Sequence, residues 1–307
     1  MTAPRWLLPG KTYLLTRRCT QRQLLLAPTS TVREVFRYCL AQAASKFGVE
    51  VHAVLVMSNH FHVVATDPRA ELPRFMHWLD LHVARAMNVH HRRGENFWSN
   101  APFSAVVLGN ADSVLDKIVY TLANPIEAGL VAHLREWPGV YSKVSELAGG
   151  QWVADRPGFF FRQKGKALPE AVRLTLRKPP QFADLSPEAF RKAVSKALKA
   201  RVRAIKADRG ERGLHGFLGR QGVLSQVNEP FRSAGSTRPD RGLCPRLACR
   251  DKWRRIELAT TLVAFYNAYR DARDRWLIGE QDVVFPAGTY WLRVAYGVVC
   301  GQAPAPT

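Results

Sequence analysis

The first ordered cluster of apolar positions along the chain lies in residues 11–18 (KTYLLTRR), whose β-prone composition predicts a strand. Thr31-Val-Arg-Glu34 then reads as a capping box. It opens a helix whose Val32, Val35, Phe36, Cys39, Leu40, Ala43 and Phe47 recur at spacings of three and four, and Gly48 ends it. Residues 49–57 (VEVHAVLVM) and 60–66 (HFHVVAT) are two β-rich runs joined at Ser58-Asn59, which predicts a hairpin. A second helix follows over about 71–90, with Leu72, Phe75, Met76, Leu79, Val83 and Met87 on one side. After a polar loop (HHRRGEN), Phe103 to Leu108 forms another apolar run. A third helix carries Leu115, Ile118, Val119 and Leu122, with Asp112 as its cap and Pro125 marking its end. The order β-α-β-β-α-β-α over 11–124 predicts an α+β fold, a ferredoxin-like βαββαβ domain with helices on a mostly antiparallel sheet.

The pattern weakens beyond about residue 150, so the chain divides into a domain over 1–150 and a basic, mainly helical extension over 151–307. The stretches 156–181 and 208–246 are rich in turn residues and arginine and read as loops. Two helices stand out. Ser186-Pro187-Glu188 starts one, with Phe190, Val194, Ala197, Leu198, Val202 and Ile205 inward and Arg191, Lys192, Lys196, Lys199, Arg203 and Lys206 elsewhere. Residues 253–278 form the other, with Ile256, Leu262, Phe265, Tyr269 and Trp276 among its apolar positions.

Composition adds a partner to this picture. A hydrophobic content of 47% with 23% charged residues describes a globular chain, and no apolar run reaches membrane-spanning length, which predicts a cytoplasmic protein without a membrane partner. The 45 Lys+Arg against 25 Asp+Glu leave a net charge of +20, which draws polyanions and above all nucleic acid. That excess lies mostly in the second half: residues 151–307 hold 29 basic and 14 acidic side chains, against 16 and 11 in residues 1–150. The five cysteines, Cys19, Cys39, Cys244, Cys249 and Cys300, are odd in number and scattered, which argues against a disulfide framework. Cys244 and Cys249 alone supply at most half a zinc site.

Candidate chemistry gathers in two places. On a strand, His60 and His62 emerge from the same face while Phe61 points the other way. Two neutral imidazoles held rigidly are a natural start for a metal site, although the same pair suits a half-buried strand whose histidines meet water or backbone. Tyr120 and Asn124, four apart, are neighbours on one helical face, although a tyrosine beside Val119 is equally at home in a core. A phenol with a pKa of about 10 needs a cation or base nearby to act as a nucleophile at neutral pH.

The run Val56-Met57-Ser58-Asn59-His60-Phe61-His62-Val63-Val64, followed by Tyr120-Thr-Leu-Ala-Asn124-Pro125-Ile-Glu-Ala-Gly129-Leu130-Val131, resembles the HUH single-tyrosine transposases, in particular the REP-associated tyrosine transposase group. The resemblance covers roughly residues 11–145 and touches Phe285 to Leu292 as well. It implies that His60, His62 and Asn124 hold a divalent metal, Mg²⁺ or Mn²⁺, and that Tyr120 attacks a scissile phosphate. The implied activity is cleavage and rejoining of single-stranded or hairpin DNA through a 5′-phosphotyrosine intermediate, by a protein whose monomeric or homodimeric state is open. Serine at 58 replaces the proline usual before Asn59, which bears on turn stiffness, and the long basic extension exceeds the compact family pattern.

For gripping DNA, Arg17 and Arg18 end the first strand, Arg92 and Arg93 lie in a loop near Trp98, and Arg191, Lys192 and Lys199 stand on the basic helix. Two rival readings remain: a non-catalytic nucleic-acid-binding module of the RNA-recognition fold, and a replication-initiator or relaxase-type nicking enzyme.

Overall fold

The computed structural model of the protein describes residues 4–162, 164, 168–234 and 246–302. Cys244, and with it the half zinc site, lies outside them, as does part of the 208–246 stretch. The order begins β1 (Lys11–Arg18), α1 (Ser30–Phe47), β2 (Glu50–Met57), β3 (His60–Asp67), α2 (Leu72–His90), β4 (Ser104–Leu108) and α3 (Ala111–Glu127). It continues with β5 (Gln151–Asp155), β6 (Ala171–Thr175), α4 (Pro187–Glu211), α5 (Gly219–Ser225), β7 (Leu247–Ala248), α6 (Lys252–Leu277) and α7 (Trp291–Tyr296). Strands line up as β2-β3-β1-β4-β7, antiparallel except for the β4–β7 pair. The first four strands thus take the ferredoxin-like order, and the extension adds the fifth.

Helix ends depart from expectation in ways that matter locally. The cap of α1 is Thr29, whose hydroxyl accepts from the Val32 amide, rather than Thr31. In α3 the cap is Asn110, whose side chain accepts from the Ser113 amide, and Asp112 falls in the first turn. Pro125 does not end α3. The helix runs on to Glu127 because the buried Pro125 and Ile126 pack into the interior, and the last turn closes through the Ala128 amide on Asn124 O and the Leu130 amide on Pro125 O. Local backbone preference yields here to burial, and Asn124 stays inside the helix. The loop expected over 156–181 contains β6, and the 208–246 stretch contains α5.

Strand parity decides what faces what. Phe61 is fully buried against α1, edge-on to Phe36 at 5.1 Å and to Trp98 at 5.6 Å between ring centroids. On the opposite face of β3, His62 meets α3. That second face also holds Leu55 and Met57 of β2, which cluster with Ala123 and Ile126 of α3, Trp137, and Ile205 of α4. An RNA-recognition domain keeps such a sheet face open for bases; here α3 covers it, with α4 packed along α3. The β5–β6 hairpin packs on α1. Phe61→Ala is expected to lower stability by about 3–5 kcal/mol, read as a shift of the chemical-denaturation midpoint, because the ring that Phe36 and Trp98 both pack against is removed.

Candidate active site

The site is built where the ends of β1 and β3 meet the middle of α3. Antiparallel register sets Thr16 opposite His62 and Arg18 opposite His60, so all four side chains stand on the α3 face. His62 lies 4% exposed and His60 is half-buried beside it, with ring centroids 4.8 Å apart.

Each imidazole is oriented through its Nδ1. For His60, Nδ1 donates to Asn59 Oδ1 at 2.6 Å, and Asn59 is itself anchored by its Nδ2 donating to Arg22 O. His62 Nδ1 pairs with Thr16 Oγ1 at 2.8 Å, while its Nε2 accepts from Asn124 Nδ2 at 3.4 Å. The Nε2 lone pairs are therefore left for the side where Asn124 stands, and Asn124 also hydrogen-bonds His60. Burial, with Arg18 alongside, pushes His60 down to about 4. Burial and the neighbouring His60 hold His62 well below the usual histidine range. Both rings are neutral at neutral pH, which is the form that ligates metal.

The donor set fits a divalent cation. Two imidazole nitrogens converge, and a turn of the Asn124 amide presents Oδ1 beside them. Among the described residues no group of three or more His, Cys, Asp or Glu side chains competes as a metal site. Thiolates are absent from this set: Cys19, Cys39 and Cys249 are buried free thiols elsewhere.

Tyr120 completes the cluster, half-buried, with its ring 5.4 Å from that of His62 and edge-on to it. Lys117, one turn earlier on α3, places its ammonium 5.5 Å from the Tyr120 ring centroid. The expected juxtaposition of His60, His62, Tyr120 and Asn124 is thus formed within one chain.

The residues expected to grip DNA fare differently. Arg18 is exposed at the rim beside His60, and Arg92 is exposed in its loop. Arg17 turns to the other face, paired with Asp80 at 3.2 Å and bonded to Ala101 O. Arg93 donates to Gln23 Oε1 and lies over Phe231. Trp98, 8% exposed, packs on Phe61 and Phe97 and donates to Asp80 O, so its ring belongs to the core and is not offered to a base. Arg191 is tied to Leu147 O and Glu188, while Lys192 and Lys199 are exposed.

Three features escaped the sequence. Thr16 becomes a partner of His62 only through strand register, which no local spacing encodes. Asn59 could have been found from its place next to His60. Ser58, in the turn before His60, donates its hydroxyl to Gln226 Oε1 at 2.5 Å, with both residues buried. The extension thereby holds the turn that a proline ring would otherwise stiffen.

The site thus sets a strand histidine pair on a ferredoxin-like sheet against a helix tyrosine and asparagine. Residues 12–119 match the family model described as IS200-like transposases, and over that stretch the chain is similar to transposases of this type. The match holds β1 through most of α3, including His60 and His62, and stops one residue before Tyr120. The chain is also similar to the solved structure of a REP-associated tyrosine transposase bound to a REP hairpin, at 17% identity, TM-score 0.40, covering 48% of this chain and 84% of that one. A proposed transposase from Deinococcus radiodurans R1 is similar at 23% identity and TM-score 0.27, covering 34% of this chain and 85% of that one. No curated protein matches the chain.

Proposed function

We propose that this protein is a REP-associated type of single-tyrosine transposase that cleaves and rejoins single-stranded DNA, with Tyr120 as nucleophile and His60, His62 and Asn124 as ligands of Mg²⁺ or Mn²⁺. The observation that carries the reading is the convergence of both histidine Nε2 atoms, the Asn124 amide and the Tyr120 ring at one place. When bound, the divalent ion supplies Lewis-acid polarisation of a non-bridging phosphate oxygen. Tyr120 Oη attacks phosphorus in line, the phenolic proton passes to solvent, and the P–O3′ bond breaks. A 5′-phosphotyrosine and a free 3′-hydroxyl result, and attack by a second 3′-hydroxyl regenerates the tyrosine. Thr16 and Asn59 hold the imidazoles in the tautomer that keeps Nε2 available. The net charge of +20 brings DNA to the site.

Histidines and tyrosine lie in the same chain, which supports action in cis by a single copy. A mixture of Tyr120→Phe and His60→Ala proteins is therefore expected to form no covalent adduct with a labelled single-stranded hairpin in Mn²⁺, as judged on a denaturing gel. Adduct at a substantial fraction of the wild-type yield would show instead that two copies share their sites.

A further inference from the structure

The extension places a cationic wall directly across from Tyr120. Helix α4 lies along α3, with Ile205 buried and Leu198 and Val202 partly buried against the cluster containing Ala123 and Ile126. Beyond α4 the chain returns to α3, where the Leu218 amide donates to Gly129 O and the Gly219 amide to Leu130 O. Gly129 has φ +72°, and a Cβ there would come within 2.7 Å of Arg209 Nη1, so its glycine both ends α3 and admits that guanidinium.

Between the two helices runs a groove of about 700 Å³. Tyr120, Asn124 and Glu127 form its α3 wall, and Arg201, Arg209 and Arg212, with Asp208, line the α4 side. Arg201, Ile205, Asp208 and Arg212 recur at steps of four, three and four and so share one helix face. Lys192, Lys196, Lys199, Arg203 and Lys206 recur in the same rhythm, about half a helical turn away, and look outward. Of the three cations that sequence reading favoured on this helix, Lys192 and Lys199 thus stand opposite the groove, and Arg191 is tied to Leu147 O and Glu188.

Within the groove, Arg201 pairs with Glu127 at 3.0 Å and Arg212 with Asp208 at 3.3 Å. All four side chains keep substantial solvent exposure, so neither pair is held strongly, and a phosphate can replace each carboxylate as partner.

Resting on the strand-transfer reading, we infer that the inner face of α4 is the phosphate-binding wall of the active-site groove: Arg201, Arg209 and Arg212 hold the backbone of the single strand that lies across Tyr120. The extension is then part of the substrate site. The outer lysine row contributes long-range attraction without register.

The test compares two double variants with the same loss of charge, Arg201→Ala/Arg212→Ala on the inner face and Lys196→Ala/Arg203→Ala on the outer. Both are built in full-length Tyr120→Phe protein so that binding is read without chemistry. Affinity for a fluorescein-labelled single-stranded oligonucleotide is measured by anisotropy across a salt series, with thermal melting as the check on folding. The inner pair is expected to reduce the slope of log affinity against log salt by about 1.4, or about 0.7 for each phosphate no longer neutralised, while the outer pair leaves the slope nearly unchanged. Equal slope changes in the two variants, or no change in either, would overturn the inference. A protein carrying Tyr120 that binds single strands with this inner-face dependence, yet forms no adduct in Mn²⁺, would count against the strand-transfer reading and leave the binding wall standing.

Discussion

Tyr120→Phe is expected to abolish the denaturant-stable adduct between the protein and single-stranded DNA while leaving DNA binding intact. The substitution removes one oxygen. The phenyl ring remains to fill the half-buried space beside His62, so the packing of α3 and the melting temperature should hardly change. What disappears is the atom proposed to attack phosphorus, and loss of a nucleophile costs roughly 10⁴-fold or more in rate. Adduct formation is followed by electrophoresis of labelled DNA after denaturation, and binding by anisotropy. Adduct surviving in the variant would remove Tyr120 from the chemistry and return it to the core.

The second large effect concerns the histidines. His62→Ala is expected to reduce cleavage by about 10²–10³-fold at any concentration of Mn²⁺, because the site loses one of only two imidazole donors and with it the polarisation of the phosphate. Thr16→Val should behave differently. It leaves both ligands in place but removes the hydroxyl that orients His62 through Nδ1. Losses of this kind typically weaken metal binding by about 10–100-fold, so half-maximal activity should move to higher Mn²⁺ while the saturated rate recovers. Titrating Mn²⁺ against cleavage rate separates the two variants. Cleavage by His62→Ala protein at the wild-type rate, or a Thr16→Val defect that saturating ion cannot repair, would contradict the assigned roles.

The contrast between those two residues shows where the site was legible. His60 and His62 stand two apart on a strand, and strand parity alone puts them on one face. Tyr120 and Asn124 stand four apart on a helix, and helical periodicity alone makes them neighbours. Thr16 has no such signal, since it reaches His62 only through the antiparallel register of β1 on β3. Trp98 is decided for a related reason: an aromatic beside arginines looks like a stacking surface, yet its ring packs at right angles to those of Phe61 and Phe97 and is left 8% exposed. Pro125 misled because backbone preference is a local property, and the burial that overrides it is not.

Helix α4 carries the same lesson further. Its start, its Ser186 cap and its apolar stripe were readable, because each depends on residues within a turn or two. Which of its cations line the groove beside Tyr120 was not readable, because that depends on how the helix rotates against α3. By itself the sequence determined the elements of residues 11–127, their order, the two residue pairs proposed to carry chemistry and a charge that calls for a polyanion. The tertiary structure alone decided that the two pairs meet in one chain, that Thr16, Asn59 and Gln226 steady the histidine strand, and that Arg201, Arg209 and Arg212 stand across from Tyr120. The physical reason is range: capping, periodicity and parity act over a few residues, whereas register and helix rotation are set by burying apolar surface between segments far apart in the chain.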